Sequence, residues 1–163
     1  MDKYFHDLLY EHNELISIGI AYQTHVGGVH SSRTIYNINN VSKVQVSSTS
    51  DYLYLDWYQI PYHKKAAVWT EPWFDEGGSG KYVISYCKPI FEEGNVVGII
   101  RFDTDLAYLQ SIVSPLKLKK SGSAFLISNT GTIITHPADS LIMDESIFSI
   151  AEQGNDPSLR ELV

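Results

Sequence analysis

Asp103 ends the apolar run Val96-Val97-Gly98-Ile99-Ile100-Arg101-Phe102 and precedes a stretch with helical spacing. A carboxylate buried there alone is costly, so it needs a ligand cation, a lysine or backbone amides as partner. Two readings stand side by side: an anchor for a ligand ammonium group, or the N-cap of the following helix, a position aspartate favours. Trp57, Tyr58 and Trp73 are rings of the kind that enclose a cation, each face attracting it by about 0.5–2 kcal/mol. The same rings can instead pack between a helix and a sheet. Trp73 belongs to the loop-rich segment Trp69-Thr70-Glu71-Pro72-Trp73-Phe74-Asp75, which favours binding over packing. Tyr86, on a strand ahead of Pro89, either faces such a site or turns to the outer face. His63, with Lys64 after Pro61, either hydrogen-bonds a ligand or lies on a solvated loop.

Other chemistries are poorly supplied. Glu71, Asp75 and Asp103 are carboxylates a hydrolase can use, but no positioned nucleophile or base accompanies them. His25 and His30, and His6 and His12, lack the i, i+4 zinc spacing and the adjacent glutamate of a metalloprotease, so no metal or other cofactor is expected. The run Glu76-Gly77-Gly78-Ser79-Gly80 lacks the Lys-Ser/Thr ending of a phosphate loop. A net charge of -7 argues against nucleic acid, and the one basic cluster, Lys117, Lys119 and Lys120, reads as a solvated turn. Cys87 is the only cysteine and sits in an apolar run, as a buried small hydrophobe would. No stretch approaches the roughly 18 consecutive apolar residues a membrane helix needs, and Met1-Asp2 does not begin a signal peptide. The chain is expected to be excised from a longer protein.

The elements that must hold these residues follow from periodicity. Residues 2–13 read as the end of a helix, and residues 14–24 as a strand. Arg33 to Ile38 and Val41 to Val46 form two strands about Asn39-Asn40. A helix is predicted over 51–60, with Ser50 or Asp51 as N-cap, ending before Pro61. Residues 81–91 and 95–103 make a hairpin through Gly94. Residues 104–114 form a helix with Thr104 as N-cap, and 123–128 with 132–136 form a second hairpin. A last helix spans about 144–153, broken by Asn155-Asp156-Pro157. The sum is α+β: an antiparallel sheet flanked by helices, with the start of a second smaller module.

Five pieces in order resemble a double Cache domain. They are Trp57-Tyr58, then Trp69-x-Glu71-Pro72-Trp73-x-Asp75, then Val97-Gly98-Ile99-Ile100-x-x-Asp103. Gly122-x-Ala124-Phe125-Leu126-Ile127 and Gly131-x-Ile133-Ile134-x-His136-Pro137 complete the set. The resemblance implies a PAS-like sensor outside the cell membrane, feeding a kinase, chemoreceptor, cyclase or phosphatase output. It implies the end of an N-terminal helix at 1–13, a membrane-distal ligand-binding module at 14–115, and part of a proximal module at 116–163. It further implies a small-molecule ligand, membrane anchoring, and homodimer pairing through the N-terminal helix. The amino-acid-binding branch places an arginine two residues before the tryptophan of the Trp-Tyr pair; here that residue is Leu55. Asp103 matches the carboxylate that holds a ligand's amino group, so an amine or cation is the expected ligand, with an uncharged molecule as the other reading. The alternative is a dimerisation or structural ectodomain with a degenerate pocket.

Overall fold

The computed structural model describes residues 1–23, 31–39, 41–47, 49–118, 122–154 and 158–159. His25, His30, Asn40, Lys119, Lys120 and the 155–157 break, all used above, lie outside the described residues. The chain divides into two compact units, Met1–Asp105 and Leu106–Val163.

The first unit is built on long antiparallel strands: β1 (Ser17–Tyr22), β2 (Ser31–Ile38), β3 (Val41–Ser47), β6 (Tyr82–Glu92) and β7 (Asn95–Asp105). The short strands β4 (Val68–Trp69) and β5 (Trp73–Phe74) both pair with β6. The order is β3-β2-β1-β7-β6-β4, which puts β7 between β1 and β6 in the interior of the sheet. The β6–β7 hairpin turns on two left-handed residues, Glu93 (φ 48°) and Gly94 (φ 82°). That pair fits the right-handed twist of the flanking strands.

Alternation sends the two faces of β7 to different layers. Ile100 and Phe102 join Ile18, Ile20 and Ile35 under Phe5 and Leu9 of helix α1 (Asp2–Glu11). Phe5 and Leu9 are i and i+4, so one stripe of α1 is buried. Ile99 joins Ala21, Cys87 and Val96 against Tyr52 and Tyr58 on the opposite face. Tyr58 and Trp57 belong to helix α2 (Asp56–Lys64), which follows a 3-10 turn at Asp51–Tyr54.

Several boundaries differ from the sequence reading, among them the start of the helix expected over 51–60, which is a 3-10 turn at Asp51–Tyr54 before α2 begins at Asp56. Pro61 lies inside α2 instead of after it. Its ring is fully buried, and it lies one turn from Tyr58 on the same helix face. Burial of that ring against the sheet offsets the one helical hydrogen bond that proline cannot donate. The helix closes only at Lys65, which is left-handed at φ 51°. Thr104 and Asp105 are the last strand residues of β7, not the cap and first turn of a helix. Their backbones continue the ladder opposite Ile84 and Val83, so α3 starts at Leu106.

The second unit contains α3 (Leu106–Val113), the pair β8 (Lys117–Leu118) and β9 (Gly122–Ser123), and the pair β10 (Leu126–Ile127) and β11 (Ile133–Thr135). Gln110 of α3 clamps the end of β11: its Nε2 donates to the His136 carbonyl at 2.6 Å and its Oε1 accepts from the His136 amide at 3.0 Å. The last helix, α4 (Ile147–Gln153), is capped reciprocally by Ser146 and Ser149. Its start at Ile147 instead of 144 follows from that cap. Among the described residues no helix is long and apolar enough to cross a membrane.

Gly98 sets the spacing of the central strands, because a Cβ there would sit 2.5 Å from the Ala21 carbonyl oxygen. Gly98→Ala is expected to cost about 1–3 kcal/mol through forced displacement of β1 from β7. Denaturant unfolding of the two proteins measures it directly.

Candidate functional site

Register brings the site residues together. Asp103 has Ser17 on one side and Ser85 on the other as direct cross-strand partners. All three are buried, with Asp103 only 1% exposed. The Ser85 hydroxyl donates to Asp103 Oδ1 at 2.7 Å, and the Ser17 hydroxyl donates to Oδ2. Ser85 in turn accepts the indole N–H of Trp73 at 3.0 Å. Trp73 is thereby held on β5 above the serine row.

One row along β7, Arg101 is flanked by Gly19 and Cys87. These small neighbours leave room for the arginine to lie back along the sheet. A Cβ on Gly19 would fall 3.3 Å from Arg101 Nε. Nε lies 3.2 Å from Asp103 Oδ2, a charge pair with both side chains almost wholly buried. The Nε–H is not aimed at the carboxylate and has no hydrogen-bond partner. The guanidinium carbon is 4.6 Å from the Trp57 ring centroid and 5.1 Å from that of Trp73. The two tryptophans therefore do form a cation cage, and the cation inside it is the protein's own Arg101. Burial holds the Asp103 carboxyl above its ordinary value, although Arg101 and the two serines pull it down.

Above this pair opens a cavity of about 290 Å³. Trp57, Trp73, Arg101, Tyr36, Asp75 and Leu55 are among the residues that line it. The Tyr36 hydroxyl hydrogen-bonds with Arg101, and burial, with Asp75 nearby, pushes its ionisation up to about 12. Asp75 accepts the Ser79 amide at 2.8 Å through Oδ2. The loop can close so tightly only because residue 78 is glycine: a Cβ there would stand 2.2 Å from the Tyr36 oxygen and 2.4 Å from Asp75 Oδ2.

The residues singled out in the sequence fall at different places. Trp57 and Trp73 line the cavity, while Asp103 lies beneath it as the partner of Arg101 and does not cap a helix. Tyr58 is buried in the core beneath α2, stacked on Tyr62, with its hydroxyl unpartnered and its ionisation pushed up by burial. Tyr86 pairs with Phe102 and packs on Trp69, which puts it on the face turned away from the cavity. His63 is exposed at the end of α2 and hydrogen-bonds Gln59 at 2.8 Å. Among the described residues no group of His, Cys, Asp and Glu is placed to hold a metal ion. Arg101, Tyr36 and Ser85 were not singled out. The missed signal was parity: Arg101 shares the face of Asp103 in an otherwise apolar strand, where a lone cation needs a nearby anion.

Comparison with known proteins decides the family. Residues 2–111 match the methyl-accepting chemotaxis protein-like first PDC sensor domain. The chain belongs to this family. Over 102 residues this sensor domain is 30% identical to the chemotaxis protein McpC of Bacillus subtilis, covering 57% of the chain and 15% of McpC. It is 29% identical over 87 residues to PscA of Pseudomonas syringae, covering 53% of the chain and 14% of PscA. Among solved structures, the extracellular domain assigned to the histidine kinase mmHK1S-Z3 superposes with a TM-score of 0.79 at 25% identity, over 98% of this chain and 63% of that one. The ligand-binding domain of the Pseudomonas fluorescens chemoreceptor CtaA, solved with L-leucine, shares the fold at a TM-score of 0.61 and 21% identity, over 86% of this chain and 54% of that one. The PAS-like, Cache-type α+β architecture expected from the sequence is the one observed.

Removing Arg101 leaves Asp103 buried without its cation and raises its proton affinity further. Arg101→Met is expected to lose about 3–5 kcal/mol of stability near neutral pH. The folded-state pKa lies above the unfolded one, so the protonated form is the better tolerated form in the fold. The loss is therefore present above the folded pKa and shrinks as pH falls toward the ordinary carboxylate value of about 4. Asp103→Asn in the same background removes the buried charge and is expected to recover at least half of the loss at neutral pH. Chemical unfolding of the single and double variants across pH reads both effects.

Proposed function

We propose that this domain is the extracytoplasmic, small-molecule-sensing part of a membrane-anchored receptor, and that its ligand occupies the cavity over Arg101. The supporting observation is the cavity itself. It is walled by two tryptophans and carries groups of both charge signs, Arg101 and Asp75, on the sheet side that faces α2. Its volume sits at the lower end of small-molecule sites. Leu55–Trp57 and Trp73–Gly77 come from different elements and meet across it, so a ligand that bridges them favours a closed arrangement. A ligand shifts such an equilibrium only by binding one arrangement more tightly. Residues 116–163 are then the beginning of a smaller PAS-like module, and homodimers pair through the N-terminal helix.

The finer expectation of an amine or cation rested on Asp103 and the tryptophan cage. Both are engaged by Arg101, so an amine in this cavity has Asp75 as its carboxylate. The alternative of a structural ectodomain with a degenerate pocket gains no support from a cavity with charged and aromatic walls.

A ligand at 100 times its dissociation constant should stabilise the domain by about 2.7 kcal/mol. Leu55 lines the cavity and is 50% exposed, so Leu55→Trp fills the cavity with little effect on the core. Thermal melts with a library of amines, amino acids and carboxylates should find stabilising compounds for the parent and none for Leu55→Trp. Equal stabilisation of both proteins would place the ligand elsewhere, and no stabilisation of either would argue for the structural ectodomain.

A further inference from the structure

Arg101 and Asp103 are unequally presented to the cavity. Asp103 is 1% exposed, both of its oxygens accept serine hydroxyls, and it does not line the cavity. Arg101, 5% exposed, does line it. Its Nε is buried beside Asp103, and its guanidinium is fixed between two ring faces. A guanidinium clamped in this way cannot swing out to solvent, so little rotamer entropy is lost when it binds a ligand. The Tyr36 hydroxyl beside it stays protonated through neutral pH and can donate a hydrogen bond. The start of α2 contributes the apolar Leu55 to the cavity lining and no cation.

We propose that Arg101 is the specificity-determining residue of the cavity and selects a ligand bearing a carboxylate. The proposal rests on the cavity being the ligand site, and it reverses the charge preference that Asp103 and the tryptophans suggest in the sequence. Carboxylate and guanidinium match in geometry and charge, and hydrogen bonds between charged groups are about twice as strong as neutral ones. Asp75 on the lining holds an ammonium group if the ligand also carries one.

The test compares each acid with its own primary amide. The set contains aliphatic and aromatic monocarboxylates, dicarboxylates, and α- and ω-amino acids, with matched amines as controls. Binding to the parent chain is measured by isothermal titration calorimetry. Arg101→Met alone is expected to be destabilised, so the reporting variant is Arg101→Met with Asp103→Asn, its fold checked by circular dichroism. Amidation is expected to weaken the best ligand about tenfold or more in the parent, the size of one lost charge-assisted hydrogen bond. In the double variant that penalty should fall to about twofold or less, on the same reasoning. An amine or amide binding the parent as tightly as its acid would overturn the role of Arg101 and leave the sensor reading intact. So would an amidation penalty that survives in the double variant. Binding by none of the set, with the parent folded, would overturn both.

Discussion

A buried ion pair in the middle strand of a sheet constrains much of the first unit. Asp103 and Arg101 are two residues apart on β7, on the same face and almost without solvent. Such a pair is tolerated when further hydrogen bonds offset its desolvation, and here both carboxylate oxygens of Asp103 accept one while Arg101 Nε has none. That requirement accounts for Ser17 and Ser85 as its cross-strand neighbours, and for Gly19 beside the arginine, where a side chain would crowd Nε. It also accounts for the orientation of Trp73, whose indole N–H is tied to Ser85. The tryptophans then cover a cation where hydrophobic rings would ordinarily cover apolar groups.

The same constraint shapes the cavity. In the proposed ligand site, a charge held at the floor of an aromatic-walled space would act as a preorganised recognition element, because most of its desolvation precedes ligand binding. Gly78 lets the loop after β5 come against Tyr36 and Asp75, and this brings residues of separate elements to one rim. For a sensor, that convergence matters more than the depth of the pocket. A molecule seated there touches α2, the β5 loop and the interior strand at once.

Much of the fold was legible in the residues. The β6–β7 hairpin was marked by Gly94 between apolar runs, and the periodicity of residues 2–13 marked α1. Pro61 misled, because proline is usually read by its backbone while its ring also has an apolar surface to bury. The strand end at Asp105 was misread for a related reason: Asp and Thr look like cap residues, yet cross-strand pairing with Val83 and Ile84 holds them extended. Of the site, the ring types and Asp103 were visible, while the partner of Asp103 was not. Tyr86 and His63 were plausible from their types but turn to other surfaces.

Sequence alone determined the family, the antiparallel α+β class and the set of rings and charges available for binding, because these depend on local periodicity and residue chemistry. Only the tertiary structure decided which cation fills the tryptophan cage. Trp57, Trp73, Arg101 and Asp103 come from a helix, a short strand and the centre of the sheet. Their meeting depends on strand register, where a shift of one residue would turn every side chain to the other face.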